Sequence, residues 1–175
     1  GTGTGGFVSN ITGLLPGTMY HVRAFATNSA GTAYGTEITF TTSAIVVPTL
    51  TTAAATSITL TTAVSGGSVT SDGGASVTEK GVCWSTAANP TISDPNTSNG
   101  TGTASFISNI TGLTAATTYH VRAYATNSAG TGYGPDITFT TSLVVVPTLT
   151  TTVPSAITLV AAASGGNVTA DGGGS

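Results

Sequence analysis

One eighteen-residue stretch occurs twice in this chain and constrains its fold more than any other feature. Leu14-Leu15-Pro16-Gly17-Thr18-Met19-Tyr20-His21-Val22-Arg23-Ala24-Phe25-Ala26-Thr27-Asn28-Ser29-Ala30-Gly31 returns, largely unchanged, at residues 113–130. The offset of 99 residues also relates Ile11 to Ile110, Pro48 to Pro147 and Asp72 to Asp171, without insertions, and about two-thirds of the overlapping positions are identical. Such self-similarity is the mark of a tandem array. A period this long exceeds a solenoid unit and suits an independently folding unit of about 100 residues. Within the repeat, Tyr119, Val121, Ala123 and Ala125 alternate with His120, Arg122 and Tyr124, the two-residue period of a strand.

The rest of each copy reads as strands joined by turns. In the copy spanning residues 47–146, strand A is expected at 49–52 and strand B at 58–64 with Ile58, Leu60 and Val64 inward. Strand C is expected at 77–85, with Val82 and Trp84 on one face and Gly81 and Cys83 on the other. Asp72-Gly73-Gly74 supplies a turn, and residues 89–102 form an irregular polar connection. Residues 1–46 carry the end of a preceding copy: strand E at 7–11, strand F, and strand G at 34–42. Residues 147–175 begin a third, with strands A and B. The chain opens with Gly1 rather than Met and shows no signal peptide. It reads as a window on a longer array, with exchange of half-units between subunits as the alternative.

Composition narrows the classes of function. Charged residues are 5% of the chain against about 25% in an ordinary soluble domain, while the hydrophobic fraction of 39% and its alternation argue against disorder. Three cations, Arg23, Lys80 and Arg122, cannot track a phosphate backbone, so nucleic acid is not expected as a partner. No run of about 20 apolar residues is present, so no membrane insertion is expected in this segment. Solubility must come from Thr, Ser, Asn and Gly, and a surface so weakly charged favours self-association.

The motif L-x-P-G-T-x-Y-x-V-x-A-x-A-x-N-S-A-G resembles the E–F corner and F strand of fibronectin type III domains. The resemblance implies an immunoglobulin-like β-sandwich in which Tyr20 and Tyr119 bond back to the corner backbone. Ala115 replaces Pro16 in the second copy, which implies a slightly looser corner, and the single Trp84 stands on strand C rather than strand B. The blocks S-G-G-x-V-T-x-D-G-G, K-G-V-C-W-S-T and Y-H-V-R-A-Y-A-T-N-S-A-G-T-x-Y-G further resemble tandem repeats of very large secreted bacterial surface proteins. The expected fold is therefore all-β, with tandem sandwiches repeating every 99 residues. The resemblance implies an extracellular, cell-surface location and a non-enzymatic filament or adhesin stalk. A multivalent glycan- or protein-binding accessory module is the alternative.

Two sets of residues are candidate contact surfaces. The outward row His120, Arg122, Tyr124, with its twin His21, Arg23, Phe25, carries the Arg and aromatic types that dominate binding hot spots. A cross-strand Glu79–Arg122 pair is the structural alternative for that row. The second set is the junction: Ile45, Val46, Val47 and Pro48, matched by Val144, Val145, Val146 and Pro147. Linkers are usually polar and flexible; an apolar, β-branched one is expected to pack between adjoining units, or else to pair with another chain. No catalytic set is expected, since no carboxylate is evident at a constant offset from His21 and His120. Cys83 has no second ligand at zinc spacing, and the loop from Asp94 lacks the closing Glu of a calcium site, so no metal or cofactor is expected. Asn10-Ile11-Thr12 and Asn109-Ile110-Thr111 fit the N-glycosylation pattern.

Overall fold

The computed structural model describes residues 2–173; Gly1 of the opening glycine run and Gly174 and Ser175 of the third copy lie outside them. Thirteen strands and no helix make up the described residues. β1 (Met19–Val22) pairs with β4 (Ile38–Thr41), and β2 (Phe25–Asn28) pairs with β3 (Gly31–Tyr34). The central part begins with β5 (Thr49–Thr56), β6 (Ala63–Ser71) and β7 (Glu79–Ser85). It continues through β8 (Phe106–Ile110), β9 (Thr118–Asn127), β10 (Gly130–Tyr133) and β11 (Ile137–Thr140). β12 (Thr148–Ser155) and β13 (Ala163–Ala170) form a final antiparallel pair.

In the central part β5-β6-β8 form one antiparallel sheet, while β7, β10 and β11 all pair with β9 in the other. In letters these are A-B-E facing C-F-G, the strand grouping of an immunoglobulin-like sandwich. Leu50, Ala63, Val69, Val82, Phe106, Ile110, Val121, Ala123, Ala125 and Phe139 close the space between the sheets, with Trp84, Tyr119 and Ile58 packed against them. The inward row of β9 is the one the alternation marks.

Strand limits differ from expectation where side chains redirect the backbone. β6 starts at Ala63, not at 58, because Thr59 turns the chain: its Oγ1 accepts the Thr62 N–H at 3.0 Å, and its own N–H donates to Thr62 O. Hydroxyls near the backbone compete in this way with sheet ladders. Ala63 and Val69 therefore point inward, and Val64 does not. β6 also runs through Gly66-Gly67, where a strand would ordinarily weaken. A Cβ on Gly67 would stand 2.6 Å from the Ala123 Cβ and 2.4 Å from Thr51 O, so only glycine lets the sheets approach there. β5 runs on to Thr56, past the expected end at 52. No strand forms at residues 7–11, since among the described residues nothing pairs with them.

Strand G is split in both copies. Between β10 and β11 the chain leaves the ladder at Gly134-Pro135-Asp136, and proline has no N–H to give. A side chain from the facing sheet fills the gap: Ala123 N–H donates to Thr52 Oγ1 at 3.0 Å, and Thr52 Oγ1 donates to Pro135 O at 2.7 Å. One threonine hydroxyl thus links strand A to both F and G.

Candidate interaction surface

The two corners form as the resemblance implies. Leu15 N–H donates to the Tyr20 hydroxyl at 2.8 Å, and Thr114 N–H to the Tyr119 hydroxyl at 3.1 Å. In the second copy it is Ala116, in the place of Gly17, that takes positive φ (52° against 61°), the strained alternative for a residue with a Cβ.

The outer face of β9 is more enclosed than the alternation predicts. Tyr124 is 1% exposed, and its hydroxyl donates to Thr97 O at 2.7 Å. Residues 89–100 run beside strand C, with Thr97 N–H donating to Val82 O and Trp84 N–H to Pro95 O, and they cover the row. Gly81 makes this possible, since a Cβ there would sit 1.9 Å from Thr97 O. Cys83, expected on the outer face, is fully buried by the same segment, its thiol 3.4 Å from Pro90 O. Tyr124 is therefore a packed residue of a second small core, and it offers no surface to a partner.

Arg122 and His120 are partly exposed, and each is held by a neighbour. Arg122 Nε donates to Gly134 O at 3.0 Å, and its guanidinium lies 4.7 Å from the Tyr133 ring centroid. Glu79 does not meet it as expected: the register sets Cys83 opposite Arg122 and Glu79 opposite Thr126. His120 Nδ1 donates to Asp136 Oδ2 at 2.9 Å, and the same oxygen accepts the Asn89 N–H at 2.8 Å. The first copy repeats the arrangement in the open. Arg23 Nε donates to Gly35 O at 3.0 Å, Arg23 covers Tyr34 at 4.9 Å, and His21 pairs with Glu37 at 2.7 Å. Phe25 stands in the place of Tyr124 and is 65% exposed.

A carboxylate does therefore recur at a constant offset, sixteen residues beyond each histidine. That corrects the sequence reading; the signal was present but weak, because the residue is Glu in one copy and Asp in the other. The pair orients an imidazole, and among the described residues the hydrogen bonds of both rings go to carboxylates. Ser85 lies opposite His120 in the ladder, yet its Oγ accepts the Ala87 N–H instead. Lys80, the remaining cation, is buried: its ammonium donates to Ala104 O at 2.7 Å and Gly102 O at 3.2 Å beneath the Phe106 ring.

The junction residues divide by atom rather than by residue. Pro48 is fully buried and Ile45 half-buried, but Val46 and Val47 remain 57% and 40% exposed, contrary to the packing expected for them. Val144, Val145 and Val146 are likewise exposed. What is bound is the backbone. Val46 N–H donates to Gly73 O, while Asn127 Nδ2 donates to both Val46 O and Asp72 O at 2.7 Å. Val145 N–H donates to Gly172 O in the same way. A Cβ on Gly73 or Gly172 would lie within 2 Å of the Val46 or Val145 carbonyl, so glycine is required where linker and loop touch.

Burial pushes the Tyr124 hydroxyl up to about 12, with Glu79 adding to it, and pushes the Cys83 thiol up to about 11 against the pull of Arg122. Both groups are held neutral in the fold. Their stabilising effect is complete below their unfolded values and is lost as pH rises through the folded ones. Unfolding in urea is thus expected to show stability falling between about pH 9 and 12. Tyr124→Phe should flatten the part of that fall between about pH 10 and 12; an unchanged slope would refute the assignment.

No family model and no curated protein matches the chain. Among solved structures it is similar to the sensor domain of the anti-sigma factor RsgI4 of Pseudobacteroides cellulosolvens, at 20% identity and TM-score 0.41, covering 57% of this chain and 99% of that one. A fibronectin type III domain of the human KIAA0970 protein matches at 18% identity and TM-score 0.40, covering 54% and 73%. The fibronectin domains FN1–FN3 of chicken CNTN1 match at 20% identity and TM-score 0.43, covering 74% of this chain and 42% of that one. The assignment of the central part to the immunoglobulin-like sandwiches rests on its strand order.

Proposed function

We propose that the chain is a structural, non-enzymatic segment of an extracellular filament or adhesin stalk of the bacterial surface kind, built of sandwiches joined end to end. Residues 1–46, 47–146 and 147–175 are its part, whole and part units. The observation that carries this reading is the bound junction: at both linkers a valine N–H is tied to the Asp-Gly-Gly turn of the unit that follows. A linker held along its backbone by the unit that follows cannot swing there as a Gly/Ser tether does. The exposed valines and the scarcity of charge then favour contact between chains, end to end and in part laterally.

A second reading, a glycan- or protein-binding module, is favoured by the recurrence of the His–carboxylate and Arg–aromatic pairs in both copies. Repeated once per unit, such a face would act multivalently. Electron imaging of the native material separates the two. Ordered fibres with a subunit rise of one or two domain lengths are the expected result, and separate flexible bead-strings would overturn it. In that second case, binding lost in Arg122→Ala would identify the face.

A further inference from the structure

Apolar spacing sets Leu60 on one inward row with Ile58 and Val64. In the structure Ile58 packs against the core, but Leu60 stands outside it, half-buried at the crest of the turn that Thr59 closes with Thr62. This A–B turn is fastened to its own sandwich. Leu113 N–H donates to Thr61 O at 3.0 Å, and Ser142 N–H donates to Thr59 O at 2.9 Å. Ser142 leads directly into the linker at Leu143. The turn thus holds a leucine, unused by its own core, beside the point where the chain leaves for the next unit.

Across the linker Leu60 meets that unit. A Cβ on Gly173 would lie 3.8 Å from Leu60 Cδ1, an ordinary van der Waals contact. Gly173 belongs to the Asp-Gly-Gly turn: its N–H donates to Asp171 Oδ1 at 2.9 Å, and the neighbouring Gly172 O accepts the Val145 N–H at 3.0 Å. The A–B turn and its leucine recur in the third copy. Thr158 N–H donates to Ala161 O at 2.7 Å, Thr158 Oγ1 accepts the Ala161 N–H at 3.0 Å, and Leu159 stands where Leu60 does.

We infer that the A–B turn is a docking surface for the following unit of the same chain, with Leu60 seated on its Asp-Gly-Gly turn. This deepens the reading of the junction as bound, and rests on it: the linker is braced by a direct contact between units as well as along its backbone. A single leucine is too small a contact to hold separate molecules. Across a linker of four residues, 143–146, the second unit is at high effective concentration, and a weak contact suffices.

Nuclear magnetic resonance of the full chain tests this. A nuclear Overhauser contact between the Leu60 methyls and the Gly173 α-protons is expected. In Leu60→Ser the Val145 amide should exchange about tenfold faster, because the turn that holds it loses an apolar brace. Leu60→Met keeps an apolar side chain and should stay within about twofold. The Val121 and Val46 amides should keep their rates in both variants; Val121 reports the central core, and Val46 the other junction. A missing Overhauser contact, or an unchanged Val145 rate in Leu60→Ser, overturns the docking and leaves the bound linker standing. If Leu60→Ser speeds Val121 as much as Val145, Leu60 serves its own sandwich and the docking also falls. An unprotected Val46 amide in the unaltered chain would remove the bound junction itself, and this inference with it.

Discussion

Tyr124→Ala is expected to lower the unfolding free energy by about 3–5 kcal/mol, the range for deleting a buried aromatic ring. Tyr124 is fully buried between strand C and residues 89–100. Its loss opens a cavity against Gly81, leaves Thr97 O without its donor, and frees the segment that encloses Cys83. Tyr124→Phe keeps the ring and removes only the hydroxyl, so about 1–2 kcal/mol is expected. Phe25→Ala, at the same repeat position but exposed, should stay within about 0.5 kcal/mol. Urea unfolding followed by Trp84 fluorescence reads all three. Equal losses for Tyr124→Ala and Phe25→Ala would mean that the enclosed second core does not exist.

Asn127→Leu is the second change with a large expected effect. The amide makes three hydrogen bonds: Nδ2 donates to Val46 O and Asp72 O, and Oδ1 accepts the Ala129 N–H. Leucine nearly matches its volume but leaves those buried groups unpaired, at about 1–3 kcal/mol for each one that water cannot reach. A loss of about 2–4 kcal/mol is expected once part of this is recovered by hydration. The sharper readout is at the junction. Hydrogen exchange of the Val46 amide should speed up, because its bond to Gly73 O no longer has a fixed loop to meet. Asn28→Leu in dilute solution should cost under about 0.5 kcal/mol. A protected Val46 amide in Asn127→Leu would show that the linker is held by its own conformation and not by the clamp.

Both predictions concern residues whose neighbours come from elsewhere in the chain, and that divides what the sequence revealed from what it hid. The inward row of β9 was legible because a strand buried on one side must alternate, and local spacing carries that information. The tyrosine corners were expected from the resemblance of the motif to fibronectin type III domains, and their hydroxyls reach only five residues back. The His–carboxylate pair was missed, although its sixteen-residue spacing recurs, because pairing across two strands follows from register and not from adjacency. The start of β6 was misplaced because the Thr59 hydroxyl competes with the ladder, which apolar periodicity does not register.

By itself, then, the sequence determined the strand period and the turns, both properties of near neighbours. Only the tertiary structure decided which faces are covered. Residues 89–100 have no apolar pattern of their own, yet by folding beside strand C they turn Tyr124 and Cys83 from surface into core. The linker valines are apolar, yet their side chains stay in solvent while Asn127 and the Asp-Gly-Gly turn hold their backbone. Burial depends on what arrives from a distance, and backbone hydrogen bonds are indifferent to side-chain hydrophobicity. Neither can be read from composition along a single strand.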